Sequence, residues 1–202
     1  DSVEVIIEVT DGTYIAGGNF YSENIDLENG IKLINRRTEY SSNIMIIKFE
    51  ETELPNPTVV RADGIGDAGK DCIKPISKTS DGGYIVGGSF ESSSIDIESG
   101  ISLTNKGNAD GILIKYNSNG KVEWAKGIGG ENEDEITSIS ETRDGGYIVG
   151  GYFESSSIDL GNGITLSNSG NYDGVIIKYD SKGNIEWAKS IGGESYDQIT
   201  SA

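Results

Sequence analysis

The sequence contains no histidine, one cysteine (Cys72), one methionine and three prolines in 202 residues. Without imidazole there is no Ser-His-Asp triad, no His-ligated zinc and no imidazole acid–base chemistry. A single cysteine excludes an intrachain disulfide framework and the thiolate clusters that hold zinc or iron–sulfur centres. Basic residues are scarce: 16 Lys+Arg stand against 33 Asp+Glu, a net charge of −17. Phosphate contacts need clustered Lys and Arg, so no nucleic-acid partner is expected. No apolar run approaches the roughly 18 residues of a membrane helix, so no membrane insertion by this segment is expected. The sequence starts at Asp1 with neither Met nor a signal-peptide pattern, and reads as an excised segment or a mature product.

What is abundant is glycine. The 29 Gly are about twice the usual share, while hydrophobic residues make up 35%. Gly among Ser, Asn, Asp, Ile and Tyr describes short strands joined by tight turns. Ile, Tyr and Val clusters recur throughout, which argues against disorder.

Internal repetition decides the fold class. Asp81-Gly-Gly-Tyr-Ile-Val-Gly-Gly88 recurs as Asp144-Gly-Gly-Tyr-Ile-Val-Gly-Gly151 at an offset of 63, which Trp124 and Trp187 keep. Residues 71–133 aligned on 134–196 are identical at 41 of 63 positions. A diverged copy, Asp11-Gly-Thr-Tyr-Ile-Ala-Gly-Gly18, lies 70 before Asp81, with extra residues near Arg36–Ser42 and Glu50–Arg61. The repeats are therefore 1–70, 71–133 and 134–196, all in one domain over 1–202. Residues 197–202 match the opening of repeat three and begin a fourth copy.

Within repeat three four strands can be read: Ile136–Thr142, Tyr147–Glu154, Gly174–Tyr179 and Asn184–Ile191. Asp144-Gly-Gly and Asp180-Ser-Lys-Gly form turns, and a long loop over 155–173 carries a short extension at Ile164–Leu166. No segment holds a 3.6-residue apolar period, so helix is expected to be near nil. Four antiparallel strands copied in tandem are a β-propeller blade. Val175-Ile-Ile177 is apolar on both faces, which requires cover from neighbours on both sides. The pairs Gly17-Gly18, Gly87-Gly88 and Gly150-Gly151 would weaken a strand unless something approaches closely there. Trp124 and Trp187 are expected to pack between blades. Repeat one lacks that Trp and carries Pro55 and Pro57, so its fourth strand is expected to be short, irregular or at an edge.

The run DGGYIVGGYF…IDLGNGITLSNSGNYDGVIIKYDSKGNIEWAKSIGG resembles the tandem bacterial β-propeller repeat of the seven-bladed (SBBP) type. The family's glycine-containing hairpin that ends in Trp and is followed by Gly-Gly corresponds to Asp180–Trp187 with Gly192-Gly193, and to Asn117–Trp124 with Gly129-Gly130. The likeness covers repeats two and three closely and repeat one loosely. It implies a part of a large secreted or cell-surface bacterial protein, and supplies no catalytic residues. Three blades do not close a ring. A larger propeller, two paired chains making six blades, and an open array all remain open.

Most candidate chemistry has a simpler structural reading. The acidic stretch Glu131–Glu135 reads as a solvated loop between blades. Asp134 recurs as Asp1, Asp71 and Asp197, which suits a residue capping a turn at each junction. No cofactor and no metal are expected. Ca²⁺ is the cation that the acid excess would favour, with Asp159–Gly163 and Asn171–Gly174 only loosely suggestive. Cys72 aligns with Ser2 and Glu135 and has no imidazole partner. Asn56-Pro57 is a turn signal. Three tyrosines differ from their repeat equivalents: Tyr152 aligns with Ser89 and Asn19, Tyr172 with Ala109, and Tyr196 with Glu133. Residues that vary on loops are free to contact ligands, so Tyr152, Tyr172 and Tyr196 are the candidate ligand-binding residues, against ordinary inter-blade packing.

The expected function is a non-enzymatic binding or scaffolding module. Its partners would be a protein or polysaccharide of the cell envelope or extracellular matrix, with pairing into a homodimer a further expectation. The alternatives are a carbohydrate-active lyase or hydrolase, and a purely structural spacer. An acid unique to one repeat yet buried in a pocket would favour the enzyme.

Overall fold

The computed structural model describes residues 1–10, 12–35, 41–51 and 58–202. Blade one holds β1 (Ser2–Thr10), β2 (Thr13–Phe20), β3 (Asn24–Asp26), β4 (Lys32–Ile34), β5 (Asn43–Glu50) and β6 (Thr58–Ile65). Blade two holds β7 (Asp71–Lys78), β8 (Tyr84–Phe90), β9 (Ser94–Ile97), β10 (Ile101–Thr104), β11 (Asp110–Tyr116) and β12 (Val122–Ile128). Blade three holds β13 (Asp134–Glu141), β14 (Tyr147–Phe153), β15 (Ser157–Asp159), β16 (Thr165–Ser167), β17 (Asp173–Tyr179) and β18 (Ile185–Ile191). The sheet orders are β1-β2-β5-β6, β7-β8-β11-β12 and β13-β14-β17-β18, with every pair antiparallel. Among the described residues, helix is confined to two three-residue 3-10 turns, Glu28–Gly30 and Glu98–Gly100. This is the expected all-β architecture of tandem propeller-type blades.

The long connection in each repeat is more ordered than a loop. It folds into a two-stranded arm: β3-β4, β9-β10 and β15-β16. Alternation turns the apolar side chains of these strands inward, and Leu33, Ile95, Ile97, Ile158 and Leu166 are buried. Only the Ile164–Leu166 part of this arm was expected.

The glycine pairs are explained by two different approaches. The first glycine is a socket for the next blade. A Cβ on Gly87 would stand 2.8 Å from Ile136 Cγ2 and 2.9 Å from Ile139 Cδ1. Gly17 likewise receives Ile76 and Ile73, and Gly150 receives Ile199. The second glycine meets its own blade: a Cβ on Gly18, Gly88 or Gly151 would collide with the carbonyl of Ser2, Cys72 or Glu135. That crowding sits at the register shift between the first two strands of each blade.

The aspartate at each junction caps, as expected, through backbone N–H groups. Buried Asp134 accepts from Gly130 N at 2.8 Å, Ser155 N at 3.3 Å and Ser155 Oγ at 2.7 Å. Asp71 does the same with Asp67 N, Ser92 N and Ser92 Oγ. Asp1 takes Tyr21 N, Ser22 N and Ser22 Oγ, and Asp197 takes Gly193 N.

Trp124 packs between blades, its ring centroid 5.8 Å from that of Tyr147 and 6.2 Å from that of Tyr179. Trp187 does not: it is 41% exposed, because no blade follows β18 among the described residues. The fourth strand of blade one meets the expectation in part, being at an edge and carrying a register shift against β5. β6 shares the edge position with β12 and β18, but it is eight residues long. Arg61 stands at the Trp position, opposite Lys48 as Trp124 is opposite Lys115. Its guanidinium pairs with Asp63 at 2.8 Å and with Glu98 of blade two at 2.6 Å, so an ion pair replaces the aromatic contact. Asp11, Pro55, Pro57 and the Asn56-Pro57 turn lie outside the described residues.

Candidate functional site

The three variable tyrosines come together at one end of blade three. Tyr152 lies near the end of β14, opposite Glu135 of β13. Tyr172 precedes β17 and bridges in parallel to Tyr196, with Asp197 N donating to the Tyr172 carbonyl at 2.9 Å. The backbone therefore sets the spacing of the rings. Tyr152 and Tyr172 centroids are 4.8 Å apart, as are those of Tyr172 and Tyr196. Both contacts are tilted, at 38° and 57°, within the range of favourable aromatic pairs. Tyr196 is 64% exposed, so it is not an inter-blade core residue here.

Carboxylates stand against this ladder. The Tyr152 hydroxyl lies 3.0 Å from Glu133 Oε1 and 3.0 Å from Glu135 Oε2. One phenolic proton serves two acceptors, so it is donated to one of them at a time. Burial and then the charges of Glu135 and Glu133 push the phenol well above its ordinary titration range, so it acts as a neutral donor. Lys74 reaches across from β7 and places Nζ 2.6 Å from Glu135 Oε1. Together Lys74, Glu133, Glu135, Tyr152, Glu154 and Tyr172, with Gln198, line a pocket of about 280 Å³. That is at the small end of ligand sites and suits one side chain or one sugar unit.

The stretch Glu131–Glu135 thus corrects its sequence reading. Glu131 and Glu133 are exposed, but Asp134 and Glu135 are buried as β13 begins. The cause is the junction itself: Asp134 faces the Gly129-Gly130 turn, and Glu135 is covered by Lys74 and Tyr152. Sequence reasoning missed Lys74, Glu133 and Glu135. A signal existed: Glu135 replaces Cys72 and Ser2 just where its cross-strand partner Tyr152 replaces Ser89 and Asn19.

Other candidates are occupied locally. Asp159 accepts from Gly161 N at 2.9 Å and Asp173 from Ser169 N at 3.1 Å, so each carboxylate serves its own turn. Among the described residues, no three Cys, Asp or Glu side chains converge to hold a metal ion. Cys72 is half-buried with Sγ 3.3 Å from Ser89 Oγ, and burial raises its pKa, which disfavours the thiolate.

No family model matches the chain, so the likeness to the tandem bacterial propeller repeat rests on the residues quoted above. The chain is 33% identical over 104 residues to an uncharacterized WD repeat-containing protein of Acanthamoeba polyphaga mimivirus. The match covers 49% of this chain and 8% of that protein's length. WD repeats form four-stranded propeller blades, which agrees with the β-propeller-like repeat fold described here.

Proposed function

We propose that the chain is a non-enzymatic binding module in a secreted or cell-surface bacterial protein, engaging an envelope protein or an extracellular polysaccharide. The observation that carries this reading is the convergence of Tyr152, Tyr172 and Tyr196 beside a carboxylate-lined pocket. These residues depart from the repeat pattern, and the scaffold around them does not need them. Aromatic faces beside carboxylates suit the apolar face and hydroxyl rim of a sugar, or a polar side chain of a protein. The WD repeat likeness supports an interaction role rather than a catalytic one.

The test is a screen of the chain against immobilised glycans and envelope proteins, repeated with Tyr196→Ala and Tyr172→Ala. A hit that both substitutions weaken at least tenfold, with the far-ultraviolet spectrum unchanged, is expected. Hits that ignore both substitutions would move the binding site away from the tyrosines, and no hit at all would leave the spacer as the better reading.

Glu135 favours one second reading. It is an acid unique to repeat three and buried at a pocket, as a lyase or hydrolase would require. Yet Lys74 and Tyr152 both hold it, and both would have to move before it touched a substrate. Turnover of a polysaccharide that Glu135→Gln abolishes would establish this second reading in place of the first.

A further inference from the structure

Four substitutions separate the pocket beside Tyr152 from the same place in blade two. The backbone is alike in both: Glu91 N donates to the Lys70 carbonyl at 3.1 Å, and Glu154 N to the Glu133 carbonyl at 2.9 Å. The side chains on that backbone differ. Lys70 becomes Glu133, Cys72 becomes Glu135, Ser89 becomes Tyr152 and Ala109 becomes Tyr172, while Glu91 is kept as Glu154. Blade two thus pairs a lysine position with a glutamate, and blade three sets two glutamates there. Like charges on paired positions repel. The fold does not require this arrangement, since blade two forms with Lys70.

Charge inside the pocket is not balanced. Lys74 Nζ lies 2.6 Å from Glu135 Oε1 and compensates that buried carboxylate. The other two carboxylates have no such partner. Among the described residues, no Lys or Arg stands within ion-pair distance of Glu133 or Glu154. The Tyr152 hydroxyl, 3.0 Å from both Glu133 Oε1 and Glu135 Oε2, has one proton for two acceptors. The pocket is therefore short of positive charge and of hydrogen-bond donors. It is also lined by the rings of Tyr152 and Tyr172, and aromatic faces attract cations.

We infer that this pocket takes a guanidinium, the side chain of an arginine presented by a protein partner. The inference names the ligand of the binding role proposed above and rests on that role. A guanidinium brings the missing charge, its five N–H donors serve Glu133 and Glu154 together, and its planar face stacks on tyrosine. A volume of about 280 Å³ holds one such side chain. A neutral sugar would supply hydroxyl donors but leave both carboxylates without a counter-charge as the pocket closed. An amino sugar would bring its charge as a strongly hydrated ammonium, with no planar face to stack. The net charge of −17 adds a long-range attraction for a basic partner.

The experiment is a titration of the full chain at low salt, followed by the amide NMR signals of Glu133, Tyr152 and Tyr172. The probes are N-acetylarginine amide, its neutral isostere N-acetylcitrulline amide, and glucosamine. The arginine amide should shift all three signals and bind about tenfold more tightly than the citrulline amide, with added NaCl weakening it. Glu133→Lys restores the residue type of blade two at an exposed position, so the unfolding midpoint should hold while arginine affinity falls about tenfold. Glu131→Lys makes the same charge change outside the pocket and should cost about twofold. No shift at these residues, citrulline binding as tight as arginine, or equal losses in the two lysine variants overturns the inference. The broader binding role is then decided by the glycan and envelope-protein screen. Tighter binding of glucosamine than of the arginine amide overturns the protein partner and favours a polysaccharide.

Discussion

Ile136 stands over Gly87, its Cγ2 2.8 Å from where a Cβ on that glycine would lie. The neighbouring Gly88 is crowded by the Cys72 carbonyl instead. The tip of a side chain can shift, whereas a carbonyl within a sheet cannot. Gly87→Ala should therefore cost about 1–3 kcal/mol, the usual range for overpacking, and Gly88→Ala should cost more. Urea midpoints of the two variants measure this. Equal losses would mean that the sockets yield together and that the two glycines are not distinct in role.

Asp110 gives a pH signature. It is buried, and burial, with a contribution from the Asp134 carboxylate, raises its pKa to about 6. Its Oδ2 accepts Lys106 N at 3.2 Å, while Oδ1 has no hydrogen-bond partner. The folded state therefore binds this proton more tightly than the unfolded chain, whose pKa is near 3.8. The resulting stabilisation is complete below the unfolded pKa and is lost as pH rises through about 6. Blade one carries Asn43 at this position. Asp110→Asn should be more stable than the parent at pH 7, and the gap should close near pH 4, in urea titrations across that interval. A gap independent of pH would show that Asp110 is not the titrating group.

The repeat pattern made the blades, the junction aspartates and the role of Trp124 legible, because each follows from residues copied at a fixed offset. Three features were not legible for the same reason. The arm strands β3-β4 and β9-β10 are too short for a period to register. Arg61 does at its position what Trp124 does at its own, through charge rather than ring contact, so similarity in sequence could not reveal it. Glu135 looked like part of an acidic loop, because burial there depends on Lys74 of another blade. The Tyr152, Tyr172 and Tyr196 cluster was found by its departure from the pattern, but its geometry needed the parallel bridge at Tyr172 and Tyr196.

Lys115 is a buried cation held by partners that are themselves partly in water. Its Nζ lies 2.9 Å from Asp81, 3.0 Å from Glu123 and 2.8 Å from the Tyr116 carbonyl, and the side chain is essentially inaccessible. Solvent can take over the two carboxylates when the ammonium is removed, which moderates the loss. The carbon stem, by contrast, fills space that nothing else reaches. Lys115→Ala should cost about 3 kcal/mol and Lys115→Met less than half of that, measured by urea denaturation. Equal costs would assign the stability to the charge instead of the stem.

Arg61 tests whether the first junction is the same device as the second. Its Cδ lies 3.3 Å from where a Cβ on Gly120 would be, as Trp124 lies against Gly183. Arg61→Ala removes that packing and leaves Asp63 and Glu98 without their guanidinium, and should cost about 2 kcal/mol. Arg61→Trp restores a ring that can face Tyr84 and Tyr116, which stack at 4.7 Å, and should recover at least half of the loss. High salt should weaken the parent slightly more than the Trp variant, since the parent alone keeps the Arg61–Glu98 ion pair across the first junction. Thermal unfolding of the three proteins at two salt concentrations separates these outcomes. If Arg61→Trp is no better than Arg61→Ala, the first junction has diverged beyond exchange with the second.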